Sequence, residues 1–214
     1  MNHRRRLAAP LVVFALTTGC GYNTIQTLDE QVNTAQGQIE VQLQRRADLI
    51  PNLVNTVKGY AKQEATIFIE VARAQAVLTG ALARPGGSDP EELANANANL
   101  SRALTPFFTY AQAYPQLKSD AQFMRLQDEL AGTENRIGVA RQDYNSAVQQ
   151  YNTYIRRFPA AVTARVTGAK ERKYFQVTDP SARGVPGVDF SDVGAPPAAG
   201  TTPTTPATPA APKP

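Results

Sequence analysis

An apolar seam that recurs every three or four residues over most of the chain is the feature that most constrains its fold. Ile25, Leu28, Val32, Ala35 and Ile39 keep a 3-4-3-4 spacing. After a 4-4 step at Leu43 the seam resumes through Arg46, Ile50, Leu53, Val57, Tyr60, Glu64, Ile67, Val71, Ala74 and Leu78. Residues at these intervals share one face only in an α-helix, where about 3.6 residues complete a turn. A face this long must pack on other helices in a coiled-coil-like manner, with a stutter where the step changes. The pattern predicts one long first helix over about residues 23–82. Pro51 has no N–H to donate to the carbonyl of Ala47, so a kinked but continuous helix is expected there.

The remaining segments extend an all-α reading. Residues 84–90 (Arg-Pro-Gly-Gly-Ser-Asp-Pro) are a turn signal, and Asp89 before Pro90, with Glu91 and Glu92 following, marks a helix start. A second helix is expected from Pro90 to Ala113, with Pro106 adding a kink and the alternating asparagines 95, 97 and 99 forming a solvated face. After a turn at Tyr114–Leu117, Ser119 is expected to cap a third helix running to about Arg157. Its stripe is Phe123, Leu126, Leu130, Thr133, Ile137, Ala140, Tyr144, Val148, Tyr151, Ile155 and Phe158. Pro159 restarts the chain into a short helix ending near Val166, and residues 168–175 are expected to be irregular, docked by Tyr174 and Phe175. From residue 176 the periodicity fades, and from Gly194 the chain is Pro, Thr, Ala and Gly with one charge, Lys213. Such a composition cannot bury enough apolar surface to offset chain entropy, so residues 176–214 are expected to form an extended, disordered tail.

The amino terminus carries an address. Arg4, Arg5 and Arg6 precede a ten-residue apolar run, Leu7 to Leu16, and then Thr17, Thr18, Gly19 and Cys20. Ten residues at about 1.5 Å each cannot cross a hydrocarbon core of roughly 30 Å, so a permanent span is disfavoured and a lipoprotein signal is expected, a plain secretory signal or an uncleaved anchor being the alternatives. Small residues before a lone cysteine match a lipobox, although Thr17 stands where Leu is usual. Residues 1–19 are therefore expected to be removed, with Cys20 diacylated and holding residues 20–175 on a membrane. Gly21 is not the Asp that would favour inner-membrane retention, which points to the outer membrane where the organism has one.

Composition narrows the chemistry. Neither His nor Cys occurs after Cys20, the one His being His3. That excludes a Cys/His zinc site, a Ser–His–Asp or Cys–His catalytic unit and an internal disulfide in the bundle. The three arginines of the signal account for most of the excess of 22 basic over 18 acidic residues. The remaining charges are interspersed, without the basic field or aromatic platform that a nucleic-acid partner requires. Carboxylate chemistry survives.

Two blocks of residues resemble a known family. Arg45-Arg-Ala-Asp-Leu-Ile-Pro-Asn-Leu53, with Val57-Lys-Gly-Tyr60 and Glu64, is similar to the first-helix signature of LemA family proteins. Tyr114-Pro-Gln-Leu-Lys118, Phe123, Leu126-Gln127, Glu134-Asn-Arg-Ile137, Ala140-Arg141, Tyr144-Asn145, Tyr151-Asn152 and Phe158-Pro159 are similar to the second. The resemblance covers about residues 22–175 and implies an antiparallel, up-and-down helical bundle at the bacterial cell envelope. It implies no catalytic activity and no cofactor. Many relatives carry an N-terminal membrane helix where this chain has its lipobox.

Several signature residues are polar and lie on or beside the seam: Arg46, Asp48, Glu64, Glu134, Arg141, Asn145 and Asn152. Charges of both signs between helices are expensive unless matched, and their best-attested use is to fix register. They are expected to form an interhelical polar network, with Glu134 and Arg141 sharing one face. Tyr144-Asn145 and Tyr151-Asn152, seven apart, are expected to stack as aromatic packing with a polar handle. The alternative is a site where Asp48, Glu64 and Glu134 converge as acid/base pair or hard-metal ligands. The function expected is a membrane-tethered helical scaffold or adaptor with an envelope protein partner. A carboxylate-based envelope hydrolase and a bundle carrying a lipid or small ligand are the alternatives.

Overall fold

The computed structural model describes residues 3–60, 65–84 and 88–178, those of 3–20 by their backbone alone. Every regular element among the described residues is helical: α1 (His3–Tyr60), α2 (Ala65–Leu82), α3 (Pro90–Ala111), α4 (Pro115–Lys118), α5 (Ala121–Arg156) and α6 (Ala160–Thr167). The expected removal of residues 1–19, the acylated side chain of Cys20 and the tail beyond residue 178 lie outside what is described in full.

The first helix begins earlier, at His3, and ends sooner than its seam suggests. α1 passes through Pro51 without a break and ends at Tyr60, and Ala65–Leu82 is a separate helix that folds back along it. The Lys58 ammonium sits 5.7 Å from the centre of the Phe68 ring. Further along, Gln75 Nε2 donates to the carbonyl of Ala47 at 3.4 Å. That carbonyl is the one Pro51 leaves without its helical donor, so the gap made by the proline is filled from the neighbouring helix. The reversal was hidden because a helix running back along the same core keeps the same 3-4 spacing. Periodicity fixes which face is buried, not the direction of travel.

Contacts along the chain give the topology. α3 runs parallel to α1, with Gln36 Nε2 donating to the Ser88 carbonyl at 3.0 Å and Phe107 edge-on to Phe68 of α2 at 5.9 Å. α5 runs antiparallel to α1, placing its N-cap Asp120 2.8 Å from the Tyr60 hydroxyl and its Glu134 against Arg46. The result is an up-down-up-down bundle. Its core is the seam itself, with Val32, Ile39, Leu43, Ile50, Leu53 and Val57 of α1 buried against Phe123, Leu126, Ile137, Tyr144, Val148 and Ile155 of α5. α3 adds Leu93, Leu100, Leu104 and Phe107, and α2 adds Phe68, Val71 and Leu78.

Helix ends follow the capping chemistry, with one correction. Asp89 caps α3 by accepting from the Glu91 amide at 2.9 Å. The cap of α5 is Asp120, which accepts from the Phe123 amide at 2.8 Å, and not Ser119. Ser119 closes α4 instead, its hydroxyl donating to the Pro115 carbonyl at 3.2 Å. A carboxylate at the positive end of a 36-residue helix is the stronger acceptor. α6 ends at Gly168, whose φ of 73° is left-handed, and the Ala169 amide returns to the Ala164 carbonyl at 2.9 Å. From there residues 169–178 run without helix as a strap up the side of the bundle.

Candidate functional site: a buried arginine and a clamped strap

Arg46 lies in the seam of α1 and is only 5% exposed. Its Nη1 meets the Glu134 carboxylate of α5 and Oδ1 of Asn97 on α3, and its Nη2 donates to Ser101 Oγ at 3.1 Å. Nε is buried without a hydrogen-bond partner among the described residues. Burial lowers the pKa of the guanidinium from its ordinary value, and the Glu134 charge and hydrogen bond act in the opposite sense. Glu134 keeps 48% of its side chain in water. One side chain thus ties α1, α3 and α5 at a single level, with its counter-charge at the rim, and a slip of either partner helix would leave a cation in apolar surroundings.

The strap is held by side chains that imitate a backbone. Asn152 Nδ2 donates to the Arg172 carbonyl at 2.9 Å while its Oδ1 accepts from the Arg172 amide at 2.8 Å. Asn145 does the same to Phe175, at 3.2 and 2.8 Å. Asn95 of α3 accepts from the Thr178 amide at 3.0 Å and donates to its hydroxyl at 3.1 Å. A primary amide offers the same donor–acceptor pair as a peptide group, so these asparagines stand in for a neighbouring strand. The spacing follows from geometry: seven helical residues rise about 10.5 Å, and three extended residues span about 10 Å. Asn145 and Asn152 therefore meet Phe175 and Arg172 in register.

Further groups lock the strap from the side. The Tyr144 hydroxyl donates to the Lys173 carbonyl at 2.8 Å, and burial pushes its pKa up to about 12. Arg172 donates through Nε and Nη2 to Asp29 Oδ1 at 3.0 and 2.8 Å. Lys173 Nζ lies 2.7 Å from Asp89 Oδ2. That hydrogen bond depresses the pKa of Asp89 and raises that of Lys173. Phe175 is buried in the core, and Tyr174 packs half-buried against it. Beside the strap opens a polar cleft of about 580 Å³, lined by Gln36, Glu40, Asp89, Tyr144, Arg172 and Lys173. Within this lining, Asp89 is bonded to Lys173, and Arg172 to Asp29.

The structure separates the polar residues named from the sequence into groups. Arg46 meets Glu134; Asn145 and Asn152 meet the strap. Asp48 is exposed and accepts from Gln44 Nε2 at 2.7 Å, on a different face from Arg46. Arg141 is exposed and borders a surface cleft with Asn145, Tyr174 and Phe175 rather than reaching Glu134. Glu64 lies outside the described residues. The asparagines of α3 need correction: Asn97 is buried on Arg46 and Asn95 holds Thr178, so the stretch is not a solvated face. Asp29, Ser101, Arg172 and Lys173 were not singled out from the sequence, and Asp89 was read only as a helix cap. The one signal available for them was charge complementarity between the basic strap and acids far upstream.

Comparison with known proteins identifies a family and several relatives. Residues 35–190 match the model of the LemA family. Two magnetosome proteins of Paramagnetospirillum magneticum, MamQ 1 and MamQ 2, are each 29% identical over 186 residues, covering 78% of this chain and 68% of theirs. Magnetosome protein MamQ of Magnetospirillum gryphiswaldense is 27% identical over 185 residues, covering 77% and 68%. With the family match spanning most of the chain and the greater part of both signature blocks placed on the paired long helices α1 and α5, this protein belongs to the LemA family.

Proposed function

We propose that the chain is a membrane-tethered helical scaffold of the bacterial cell envelope, held by acyl chains on Cys20 and acting through contacts with other proteins. The observation that carries this reading is how early the packed bundle begins. A Cβ built on Gly21 would lie 3.3 Å from Thr163 Oγ1 of α6, so the residue after Cys20 is already part of the fold. An anchor there holds the bundle against the bilayer with no intervening tether. From that point α1 continues for forty residues, on the order of 60 Å of rod. The LemA membership and the magnetosome relatives support a membrane-associated helical protein. The seam, with Tyr144, Phe107, Leu43 and Leu53 fully buried, favours a scaffold over a carrier with an apolar hollow. Asp48 and Glu134 are held by different partners, which favours a scaffold over carboxylate catalysis. In this reading the buried arginine sets helix register and the asparagines hold the strap.

The test is Cys20→Ser in cells supplied with a labelled fatty acid. Loss of acyl label and release of the chain from membranes is the expected result; undiminished label would refute the anchor. Crosslinking in intact cells followed by mass spectrometry identifies the partner, and the scaffold reading expects a reproducible protein neighbour.

A further inference from the structure

The corner between α5 and α6 and the outer face of α6 expose large apolar side chains that the rest of the fold would be expected to bury. Phe158 is 86% exposed, Val166 82% and Val162 44%. Val162 and Val166 are one turn apart, on the face of α6 opposite Ala160, Thr163 and Ala164, which pack inward. Three such side chains within nine residues form a patch, and a patch of this kind marks a contact surface. Its surroundings are basic. Arg156, Arg157, Arg165 and Lys170 lie in residues 156–171, where Glu171 is the one acid and faces Arg156 at 3.6 Å.

Position identifies what covers the patch. Thr163 of the same short helix abuts Gly21, so the patch sits at the level where the chain meets Cys20. Apolar side chains ringed by Arg and Lys are the composition of an interfacial membrane contact, the rings and aliphatic groups entering the headgroup–acyl boundary while the cations meet lipid phosphates. We propose that Phe158, Val162 and Val166 form a second membrane contact, inserted into an anionic phospholipid surface and flanked by Arg157, Arg165 and Lys170. This rests on the anchored reading above and extends it. A single acylated cysteine is a pivot, whereas two points of attachment at the base fix the tilt of the rod.

The chain contains no tryptophan, so a single introduced indole reports its own surroundings. Val166→Trp, and as control Val41→Trp at another exposed valine of α1, are made in the full acylated chain and reconstituted into vesicles of phosphatidylglycerol and phosphatidylcholine. The indole at position 166 is expected to shift to the blue and lose emission to brominated acyl chains, and the control to do neither. Arg157→Glu with Arg165→Glu is expected to reverse both effects. Water-like, unquenched emission at position 166 from chains that float with the vesicles would overturn the patch and leave the anchor standing. Chains that do not float contradict the patch, and absence of acyl label on Cys20 contradicts the anchor with it.

Discussion

The two halves of the bundle are closed by different means. Beyond about residue 36 of α1, four helices surround the seam, and Leu53, Val57, Val71, Leu100 and Phe107 bury one another with hydrocarbon alone apart from the Arg46 level. Below it, α2 and α3 have ended. There the α1–α5 pair is covered by α6 and by a strap without secondary structure, held through Asn145, Asn152, Tyr144, Asp29 and Asp89. A helix satisfies its own backbone and needs only an apolar stripe to dock. An extended segment brings unpaired amides, so the surface that receives it must supply hydrogen bonds residue by residue. Side chains that hydrogen-bond a neighbouring backbone, Tyr144, Asn145 and Asn152, therefore line the side where the strap replaces a helix.

The largest expected effect sharpens this contrast in the upper half. Leu53→Ala removes a fully buried side chain between helices and is expected to cost about 3 kcal/mol of global stability, read from denaturant unfolding. Asn152→Ala strips both hydrogen bonds from the Arg172 peptide group and is expected to cost about 2 kcal/mol. Its signature is local, with proteolytic cleavage rising within residues 169–178 while the α1–α5 pair stays intact. If Asn152→Ala instead unfolded the whole chain in one step with no early cleavage, the two halves would not be separable.

Smaller effects concern the charges. Glu134→Gln leaves Arg46 with neutral partners and is expected to cost about 1 kcal/mol, since Glu134 is half in water. Arg141→Met, on the same helix but apart from that pair, is expected to leave the melting temperature unchanged. Equal losses from both would revive a shared network. Acid gives the mildest perturbation. The pKa of Asp89 is depressed below its ordinary 3.8 by Lys173, so its contribution to strap docking is complete at neutral pH. That contribution is lost as pH falls through the depressed range. Lys173, shifted upward by the same bond, keeps its contribution until pH rises past its ordinary 10.5. Cleavage of the strap should accordingly increase on acidification before any helical signal is lost.

Much of the fold was legible because the seam is a physical requirement. Each stripe residue of α5 from Phe123 to Ile155 is buried as its spacing demanded, and so are most of those of α1, but Phe158, assigned to the same stripe, lies past the end of α5 and is exposed. The reversal between Tyr60 and Ala65 was not legible, since no proline marks it and the spacing continues in phase. The polar residues were legible as unusual but not in their roles. Asn145 and Asn152 read as an edge to aromatic packing, and only the path of the strap shows that their seven-residue interval measures three residues of extended chain. Asn97 read as solvated because its partner, Arg46, lies 51 residues away.

The strap is an integral wall of the lower half, docked by side-chain amides rather than lying loosely on it. Hydrogen exchange at the amides of Arg172 and Phe175 tests this most directly. Protection approaching that of mid-α5 amides, lost at Arg172 in Asn152→Ala, is the predicted result. Exchange of both amides at the rate of an unstructured peptide in the native chain would contradict it.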